Sequence, residues 1–414
     1  MIYYIDPIYG SPDADGLSMT NARREYTDLA LVPGDTVLFR RGTLVRDSLY
    51  CRAGAPGRPI TYGAYGEGEN PIFCGSVDVS ATEKWTEIRA NVWQYTDVLS
   101  SEACNFIFDL PDGRRMGATL RWEEDFLCAQ GDFYDSRFGC GGCYTGSEKA
   151  KVLLYSMGNP GEYYSHIECA VWGRRSLSEN KCHTVTEDLC FFGSGVHGMS
   201  GGADHVTVRR CTFCYIGGAV WNRQLQIRFG NAIEFWEHGE DILIEDCYFN
   251  EIYDSCITQQ GSQKCEPARN LVMRNNLFAN YGMGAYEGRD RMLVDSSFTD
   301  NICMFAGGGF SGYGDTKPRK SEIYPQPMGH HLFMWRITRA TAGGGFEVAR
   351  NRFHEATGRT IYSIISPEAE AQMDVHDNIC EPFSSMEEAE VWFGKTGCSR
   401  YGAMLISEKL PEDK

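Results

Sequence analysis

Short runs of alternating apolar and polar residues recur through the second half of the chain. Runs such as Val206-Thr207-Val208 and Ile242-Leu243-Ile244 are rich in β-branched residues, which is typical of short strands. Alignment of these segments gives two columns that indicate a structural repeat. The first column holds Phe191, Phe213, Phe249, Phe278, Cys303, Phe353 and Cys380. The second column, two residues earlier, holds Leu189, Cys211, Cys247, Asn276, Asn301, Asn351 and Asn378.

Successive copies of the repeat are about 22 to 29 residues apart, with larger insertions at two places. A strand and a turn at that spacing predict a parallel β-helix, in which each strand pairs with its equivalent about 4.8 Å away in the next coil. The apolar column would stack in the core. The asparagines would form a ladder of side-chain amides, and asparagine also tolerates the left-handed conformation of a sharp corner. Leucine-rich repeats and propeller blades have other spacings, so we expect an all-β solenoid.

Segments outside the repeat predict the ends of the solenoid and one insertion. A short capping helix is expected around Met19–Ala30, before a strand at Thr36–Arg40. Ser384 and Glu387 have the spacing of a capping box, which predicts a second capping helix at Met386–Phe393. We therefore expect an N-terminal cap with the first coils (1–81), an inserted β-hairpin region (82–168), a central β-helix that carries the groove (169–385), and a C-terminal capping helix and tail (386–414).

Charge and cysteine content narrow the class of protein. The formal net charge of −17 disfavours nucleic acid and anionic membranes as partners. No apolar run approaches the roughly 18 residues of a membrane helix, and the start of the chain lacks the pattern of a signal peptide. The 17 cysteines show no paired spacing, which favours a reducing compartment. We expect a cytoplasmic protein without a metal site, and no pattern indicates its oligomeric state.

Several motifs together resemble a known superfamily. They are PGDTVLFRRG, RPITYGAYGEGENPIF, GVHGMSGG and RFGNAIEFW with EIYDSCITQQG. They resemble the right-handed parallel β-helix proteins of the pectate-lyase-like superfamily, and more narrowly its bacterial glycoside hydrolase branch. The resemblance covers most of residues 1–385 and implies carbohydrate chemistry. The superfamily also includes polysaccharide lyases and uronate epimerases, so the fold alone does not decide the reaction.

Three carboxylates are the candidates for catalysis. When the segments AIEFW, CITQQ and AYEGR are aligned as equivalent rungs, Glu234, Thr258 and Glu287 fall in one column, and His197 lies at about the same place one coil earlier. Glu234 and Glu287 would then be two coils apart, roughly 9.6 Å. Inverting glycosidases separate their carboxyl groups by about 6.5–9.5 Å. Asp254 lies at the bend four residues before Thr258 and is the third candidate.

We therefore expect hydrolysis of glycosidic bonds in oligosaccharides by a pair drawn from Glu234, Asp254 and Glu287. One carboxyl in an apolar setting, such as Glu234 beside Phe235 and Trp236, would have a raised pKa and act as the general acid. The other would stay ionised as base or nucleophile. Each also has a structural interpretation: Glu234 as a solvated strand residue, Asp254 as a turn residue, and Glu287 as the partner of nearby arginines in a surface ion pair.

Other side chains are candidates for sugar binding. An apolar sugar face packs on an aromatic ring, which makes Trp221, Trp236 and Tyr286 candidate platforms. A long insertion rich in proline and glycine could wall one end of the groove with Asp315 and Arg319. The remaining candidates for contacts with hydroxyl groups are His197, Arg228, Thr258, Gln259, Gln260 and Arg289.

Two other classes of function stay open. A polysaccharide lyase or uronate epimerase would neutralise a carboxylate, often with Ca²⁺, and abstract a proton with a basic side chain. The sequence shows no acidic calcium motif on the rungs. A non-catalytic carbohydrate-binding protein is the second alternative. A cytoplasmic enzyme would receive imported oligosaccharides, which favours exo action and a groove blocked at one end.

Overall fold

Short strands separated by sharp turns form most of the molecule. The computed structural model describes residues 1–140, 150–173, 175–262, 266–312, 328–338, 343–381 and 388. The strands that precede the insertion are β1 (Ile2–Ile5), β2 (Thr36–Arg40), β3 (Leu44–Val45), β4 (Ile60–Tyr65), β5 (Ile72–Cys74) and β6 (Ser76–Asp78). The inserted region contains β7 (Trp85–Arg89), β8 (Val92–Tyr95), β9 (Ala103–Asp109), β10 (Arg115–Gly117), β11 (Thr119–Leu120), β12 (Asp132–Asp135), β13 (Val152–Tyr155) and β14 (His166–Val171).

The remaining strands form the coils of the solenoid. They are β15 (Ser176–Glu179), β16 (Thr184–Glu187), β17 (Cys190–Phe192), β18 (His197–Ser200), β19 (Val206–Arg209), β20 (Thr212–Ile216), β21 (Ala219–Asn222), β22 (Ile227–Phe229), β23 (Ile233–Trp236), β24 (Glu240–Glu245), β25 (Tyr248–Ile252), β26 (Ser255–Gln260), β27 (Ala268–Arg274), β28 (Leu277–Tyr281), β29 (Gly284–Arg289), β30 (Leu293–Val294), β31 (Ser296–Thr299), β32 (Ile302–Ala306), β33 (Leu332–Ile337), β34 (Phe346–Ala349), β35 (Arg352–Ala356), β36 (Ile361–Ile365), β37 (Met373–His376) and β38 (Ile379–Cys380). The helices in the described residues are α1 (Pro160–Tyr163) and α2 (Pro367–Glu370).

Three parallel sheets hold the solenoid together. Within the described residues, sheet A has 11 strands in the order β1-β2-β4-β16-β19-β24-β27-β31-β34-β37, with β30 also paired to β27. Sheet B has 9 described strands, β3-β5-β17-β20-β25-β28-β32-β35-β38, and sheet C has 7, β15-β18-β23-β26-β29-β33-β36. Neighbours in a sheet come from successive coils, so the predicted parallel β-helix is confirmed.

The phenylalanine column stacks inside the solenoid. The ring centroids of Phe191 and Phe213 are 5.0 Å apart, those of Phe213 and Phe249 are 5.1 Å apart, and those of Phe249 and Phe278 are 4.8 Å apart. These residues are register partners in sheet B. The ring spacing therefore follows from the spacing of parallel strands.

The asparagine ladder is also present. The backbone N–H and the side-chain Nδ2 of Asn276 both donate to Oδ1 of Asn301, at 2.9 and 3.1 Å. Asn301 donates in the same way to Asn351, at 2.9 and 3.1 Å. Asn351 donates to Asn378 at 3.0 and 2.9 Å. Each amide thereby satisfies backbone groups at a buried corner.

We expected the ladder asparagine to adopt the left-handed conformation at each corner. In the structure, the residue before it adopts that conformation. Asn275, Asp300, Arg350 and Asp377 have φ angles of 54°, 58°, 57° and 52°. The turn is made one position earlier, and this leaves the ladder residue free to point its amide along the solenoid axis.

The inserted region forms two smaller sheets with their own apolar core. One sheet has the strand order β10-β9-β14-β6 and the other β11-β12-β13-β8-β7. Their buried side chains include Trp85, Phe106 and Phe133. Most pairs in these sheets are antiparallel, as hairpins require. The division of the chain into four segments stays a prediction.

The N-terminal helix expected at Met19–Ala30 is wrong. The structure has one 3₁₀ turn there, Met19–Asn21. The next residues lie along β1 instead: the backbone N–H of Arg23 donates to the carbonyl of Tyr4 at 3.0 Å, and the N–H of Asp6 donates to the carbonyl of Arg23 at 2.7 Å. The segment thus covers the edge of sheet A with backbone pairing, which also protects an exposed edge.

The other two predictions at the chain ends differ in outcome. The strand predicted at Thr36–Arg40 is confirmed as β2. The capping helix predicted at Met386–Phe393 lies outside the described residues, apart from Glu388.

Candidate active site

The face of sheet C that points away from the core, here called the outer face, carries the candidate carboxylates. In β23, Ile233 and Phe235 belong to the core cluster, so the alternation of a strand places Glu234 and Trp236 on the opposite side. Glu234 pairs in register with Thr258, and Thr258 pairs with Glu287. The three residues form one column, as the sequence predicted.

Glu234 is buried and surrounded by donors. Ser200 Oγ donates to Glu234 Oε1 at 3.0 Å, and Arg175 Nη2 donates to the same oxygen at 3.2 Å. Asn231 Nδ2 donates to Oε2 at 3.3 Å, and His197 Nε2 lies 3.5 Å from Oε2. The side chain of Arg175 is 66% exposed, so its guanidinium contacts both this buried carboxylate and solvent.

The environment of Glu234 lowers its pKa, and the expected raised pKa is wrong. Burial raises the pKa of this carboxyl, but the positive charges of His197 and Arg175 and the hydrogen bond from Ser200 outweigh that effect. The apolar neighbours in sequence do not set its environment, since Phe235 points into the core. Glu234 is therefore an ionised carboxylate at neutral pH.

His197 has a fixed orientation beside Glu234. The backbone N–H of Asn231 donates to His197 Nδ1 at 3.0 Å, so in the neutral ring the proton is on Nε2, which faces Glu234. Burial lowers the pKa of His197. The segment of His197 lies one coil before Glu234, as predicted, because β18 pairs with β23; the register partner of Glu234 within it is Ser200. His197 reaches the carboxylate from three residues earlier.

Glu287 is fully buried and accepts hydrogen bonds on both oxygens. Trp335 Nε1 donates to Oε1 at 2.8 Å, and Arg289 pairs with the same oxygen at 3.0 Å. Ser255 Oγ and Thr258 Oγ1 donate to Oε2 at 3.1 and 3.4 Å. The suspected ion pair with Arg289 exists, but it is buried and not on the surface.

A continuous hydrogen-bonded path joins the two glutamates. Asn231 binds Glu234 through Nδ2, and its Oδ1 accepts the backbone N–H of Ser255 at 3.1 Å. Ser255 then donates its hydroxyl to Glu287 at 3.1 Å. The path fixes the spacing of the carboxylates.

Asp254 lies next to this path and is buried. Its backbone N–H donates to Gly230 at 3.2 Å, and its carbonyl accepts from the N–H of Met283 at 2.9 Å. Met283 packs with Phe333 and Trp335 in an apolar cluster. Phe333 is the register partner of Glu287, so this cluster lies on the outer face. We infer that Asp254, in the same column as Met283, is on that side as well.

The two tryptophan candidates are both exposed. Trp236 is 42% exposed at the end of β23, and Trp221 is 60% exposed on the hairpin formed by β21 and β22. Gln260 is the register partner of Trp236 but is buried. Arg289 lies 5.0 Å from the ring of Trp335, to which it is stacked. These side chains remain candidates for sugar contacts.

Three predicted sugar contacts point elsewhere. Gln259 is paired with core residue Phe235, and its amide oxygen, turned toward Arg291, accepts from that guanidinium at 2.7 and 2.8 Å. Tyr286 packs in the core, 5.5 Å from the ring of Phe346.

Arg228 is the third of these side chains. It is buried between the solenoid and the inserted region, 4.3 Å above the ring of Tyr253. It donates to the carbonyls of Gly218 and Cys104 at 2.7 and 2.8 Å. We therefore leave Gln259, Tyr286 and Arg228 out of the proposal below. Asp315 and Arg319 lie outside the described residues.

Sequence reasoning missed several partners of the carboxylates. Ser200 could have been found by extending the glutamate column back by one coil. Asn231 lies at the bend before β23 and Ser255 is the first residue of β26, and no spacing rule marks either position. Arg175 precedes β15, where the repeat has none of its usual column residues, so only the folded chain shows that it reaches Glu234.

The described residues contain no group of three or more His, Cys, Asp or Glu side chains placed to bind a metal ion. Among the same residues, no helix has the length and apolar composition needed to cross a bilayer.

Comparison with solved structures shows the fold. The chain is similar to XylC, solved in complex with xylose, with a TM-score of 0.55 and 16% identity over 91% of this chain and 62% of XylC. This chain has the parallel β-helix fold. It spans less than two thirds of the length of XylC.

Two further structures are more distant. A glycoside hydrolase has a TM-score of 0.47 and 11% identity, over 94% of this chain and 98% of its own. Pectate lyase Pel9A has a TM-score of 0.43 and 12% identity, over 94% of this chain and 84% of its own. No family model and no curated protein matches the chain.

Proposed function

We propose that this β-helix is a carbohydrate-active enzyme, and specifically a glycoside hydrolase that acts on oligosaccharides. The observation that carries the proposal is the environment of Glu234, a buried carboxylate that His197, Arg175 and Ser200 keep ionised on the outer face of a parallel sheet. A perturbed carboxylate with specific charged partners is typical of a catalytic site.

Glu234 is the general base or the nucleophile in this proposal. An ionised carboxylate can accept a proton from water or attack the anomeric carbon, whereas a general acid must carry a proton. Arg175 and Ser200 occupy Oε1, and the weaker contacts of Oε2 with Asn231 and His197, at 3.3 and 3.5 Å, make that oxygen the more available one.

Asp254 is the proposed general acid. Both oxygens of Glu287 are already occupied, because Arg289, Trp335, Ser255 and Thr258 all donate to them, which leaves this carboxylate little access to a substrate. Asp254 lies one coil from Glu234. Glu287 is then a positioning residue that orders Trp335 and Arg289.

The exposed rings of Trp221 and Trp236 are the proposed sugar platforms. XylC, the similar structure described above, was solved with xylose, which supports a sugar as the class of ligand. We also propose a cytoplasmic location, because the 17 cysteines show no paired spacing, and exo action on the oligosaccharides that such an enzyme would receive.

A polysaccharide lyase or uronate epimerase is the second candidate. The observation that favours it is the exposed guanidinium of Arg175, which could neutralise a uronate carboxylate next to Glu234. A lyase releases an unsaturated product that absorbs in the ultraviolet, whereas a hydrolase consumes water and releases a reducing end.

The test is a screen of wild-type protein against aryl glycosides, neutral oligosaccharides and uronate polymers. NMR of the first product formed would identify its anomer and distinguish inversion from retention. Release of a saturated sugar supports the hydrolase, and an unsaturated product supports the lyase. Tight binding of a glycan that is never cleaved would contradict both enzymes and indicate a non-catalytic binding protein.

A further inference from the structure

A pocket of about 460 Å³ lies beside β15, the first described strand of sheet C. It is formed where the chain after β3, strand β6 and strand β15 meet. In the described residues, β15 is the first strand of sheet C. The chain at Leu49 pairs with this strand on its other side, so the pocket lies at the N-terminal end of the sheet that carries Glu234. Its lining includes Arg46, Asp47, Asp78, Trp172, Ser176 and Ser194.

The lining combines an aromatic ring with hydroxyl and carboxylate groups. Trp172 is held by Phe229, with ring centroids 5.4 Å apart. Asp78 is fixed by the backbone N–H of Ser80, which donates to its Oδ1 at 2.8 Å. A ring face for the C–H groups of a sugar and oxygens that accept its hydroxyl protons are the groups that a saccharide site needs. The volume is in the usual range for small-molecule sites, about 300–1,000 Å³.

The charges at the pocket favour a neutral sugar. Arg46 binds Glu168 with both terminal nitrogens, at 3.0 and 2.8 Å, and His166 binds the same carboxylate at 2.9 Å. Arg46 and His166 thus share the one carboxylate of Glu168, and His166 Nδ1 also lies 4.0 Å from Oδ1 of Asp78. Asp47 and Asp78 are the carboxylates of the lining, and their negative charges would repel the carboxylate of a uronic acid.

The pocket is next to the proposed catalytic carboxylate. Ser176, in its lining, directly follows Arg175, which donates to Glu234 at 3.2 Å. Strand β15 is separated from β23 by β18 alone, which is a distance of about 9.6 Å along the solenoid. A sugar ring in the pocket would direct its linkage to the next ring toward Glu234.

We propose that this pocket binds the terminal neutral sugar of the substrate, and that it makes the enzyme exo-acting. The inference rests on the proposed function for its catalytic consequence, but the binding site itself can be tested separately. Trp172 stacks on the sugar ring, and Asp47 and Asp78 accept hydrogen bonds from its hydroxyl groups. Arg175 lies between the bound ring and Glu234.

The first experiment measures binding of free monosaccharides by saturation-transfer NMR. The probes are glucose, galactose, xylose and arabinose, together with glucuronate and galacturonate. We expect at least one neutral sugar to bind and both uronates to bind more weakly. Uronates that bind as well as the neutral sugars, or the absence of binding by all probes, would overturn the proposal.

A substitution that fills the pocket tests whether the sugar binds there. Val77 lines the pocket on β6 and is 37% exposed, so Val77→Trp adds bulk without disturbing the core. It should raise the dissociation constant of the neutral sugar at least about tenfold. Val375→Trp is the matched control, because Val375 is 48% exposed on β37 of sheet A, away from the pocket. Unchanged binding in Val77→Trp would contradict the proposal.

A second substitution tests the same pocket in case the Val77→Trp protein does not fold. Asp78→Asn keeps the size of the side chain and an oxygen for the N–H of Ser80, but it removes the charge. It should weaken binding of neutral sugars severalfold and reduce the preference over uronates. If this preference is unchanged, Asp78 does not contact the sugar and the assignment is wrong.

The outcomes separate the pocket from the proposed function. If Glu234→Gln binds the neutral sugar normally and wild type cleaves no glycoside, the pocket stands and the hydrolase falls. If wild type cleaves oligosaccharides and Val77→Trp does so with unchanged kcat and KM, the hydrolase stands and the pocket assignment falls.

Discussion

Glu234 and Glu287 lie two coils apart in one column of sheet C, and an arginine is bound to each of them. Arg175 donates to Glu234 at 3.2 Å, and Arg289 pairs with Glu287 at 3.0 Å. The pKa of Glu234 is lowered, and Glu287 has both oxygens occupied by protein donors, so neither is the proposed proton donor. This relationship is the reason why the proposal takes its general acid from the neighbouring Asp254.

The first prediction concerns the acid limb of the pH–activity profile. Because the pKa of Glu234 is lowered below its usual 4.5, kcat/KM should stay high as the pH falls and decline only below about 4.5. Arg175→Ala removes one cause of this lowering, so the limb should move up by roughly one pH unit. The measurement is kcat/KM against pH for both proteins.

Arg274→Ala is the control for that experiment, since Arg274 pairs with Glu245 on sheet A at 2.7 Å. It should leave the limb unchanged. A profile of Arg175→Ala that coincides with that of wild type would show that Glu234 does not titrate in catalysis.

The second prediction concerns the asparagine ladder. Asn301→Ala leaves the N–H of Asn276 and the carbonyl of Met273 without their side-chain partner in a buried corner. The free energy of unfolding should fall by roughly 2 kcal/mol or more, as measured by urea denaturation. Thr86→Ala, at an exposed position of β7, should change it little. Equal effects of the two substitutions would mean that the ladder does not stabilise the solenoid.

The third prediction concerns acid stability. Burial raises the pKa of Glu168, but hydrogen bonds and charges from His166 and Arg46 lower it to about 2. A carboxyl with a lowered pKa stabilises the fold above its unfolded value, and that contribution is lost as the pH falls toward 2. Wild type should lose about 2 kcal/mol through this group between about pH 6 and pH 3.

Glu168→Gln should be less stable than wild type at the higher pH and should lose less stability on acidification. His166 acts in the opposite sense, because its pKa is raised: its contribution is present below its unfolded pKa and is lost as the pH rises. Glu124→Gln, on an exposed ion pair with Lys151, is the control. A pH dependence of Glu168→Gln as steep as that of wild type would contradict the assignment.

The scaffold could be predicted from sequence because its determinants repeat. Phe213, Phe249 and Asn276 each satisfy the same packing or hydrogen-bonding need in every coil, so one-dimensional spacing reports three-dimensional stacking. The column of Glu234, Thr258 and Glu287 followed from the same register.

The environment of the site could not be predicted in this way. The pKa of Glu234 is set by Arg175 and His197, which come from earlier coils and approach through bends that have no spacing rule. A shift of one residue in the strand register decides whether the side chain of Gln259 points to the core or to the outer face, because neighbours along a strand point to opposite faces. The helix expected at Met19–Ala30 does not form, because the backbone of this segment pairs with β1, which is a non-local contact.

The most direct test of the account compares two glutamates of one column. Glu179 lies two coils before Glu234, because its register partner Ser200 is the register partner of Glu234. Its side chain is exposed and paired with Lys181. With the best glycoside from the screen, Glu234→Gln should lower kcat by about a thousandfold or more, with substrate binding largely kept. Glu179→Gln should match wild type. If Glu234→Gln retains wild-type kcat, Glu234 is not the catalytic carboxylate and the central claim is wrong.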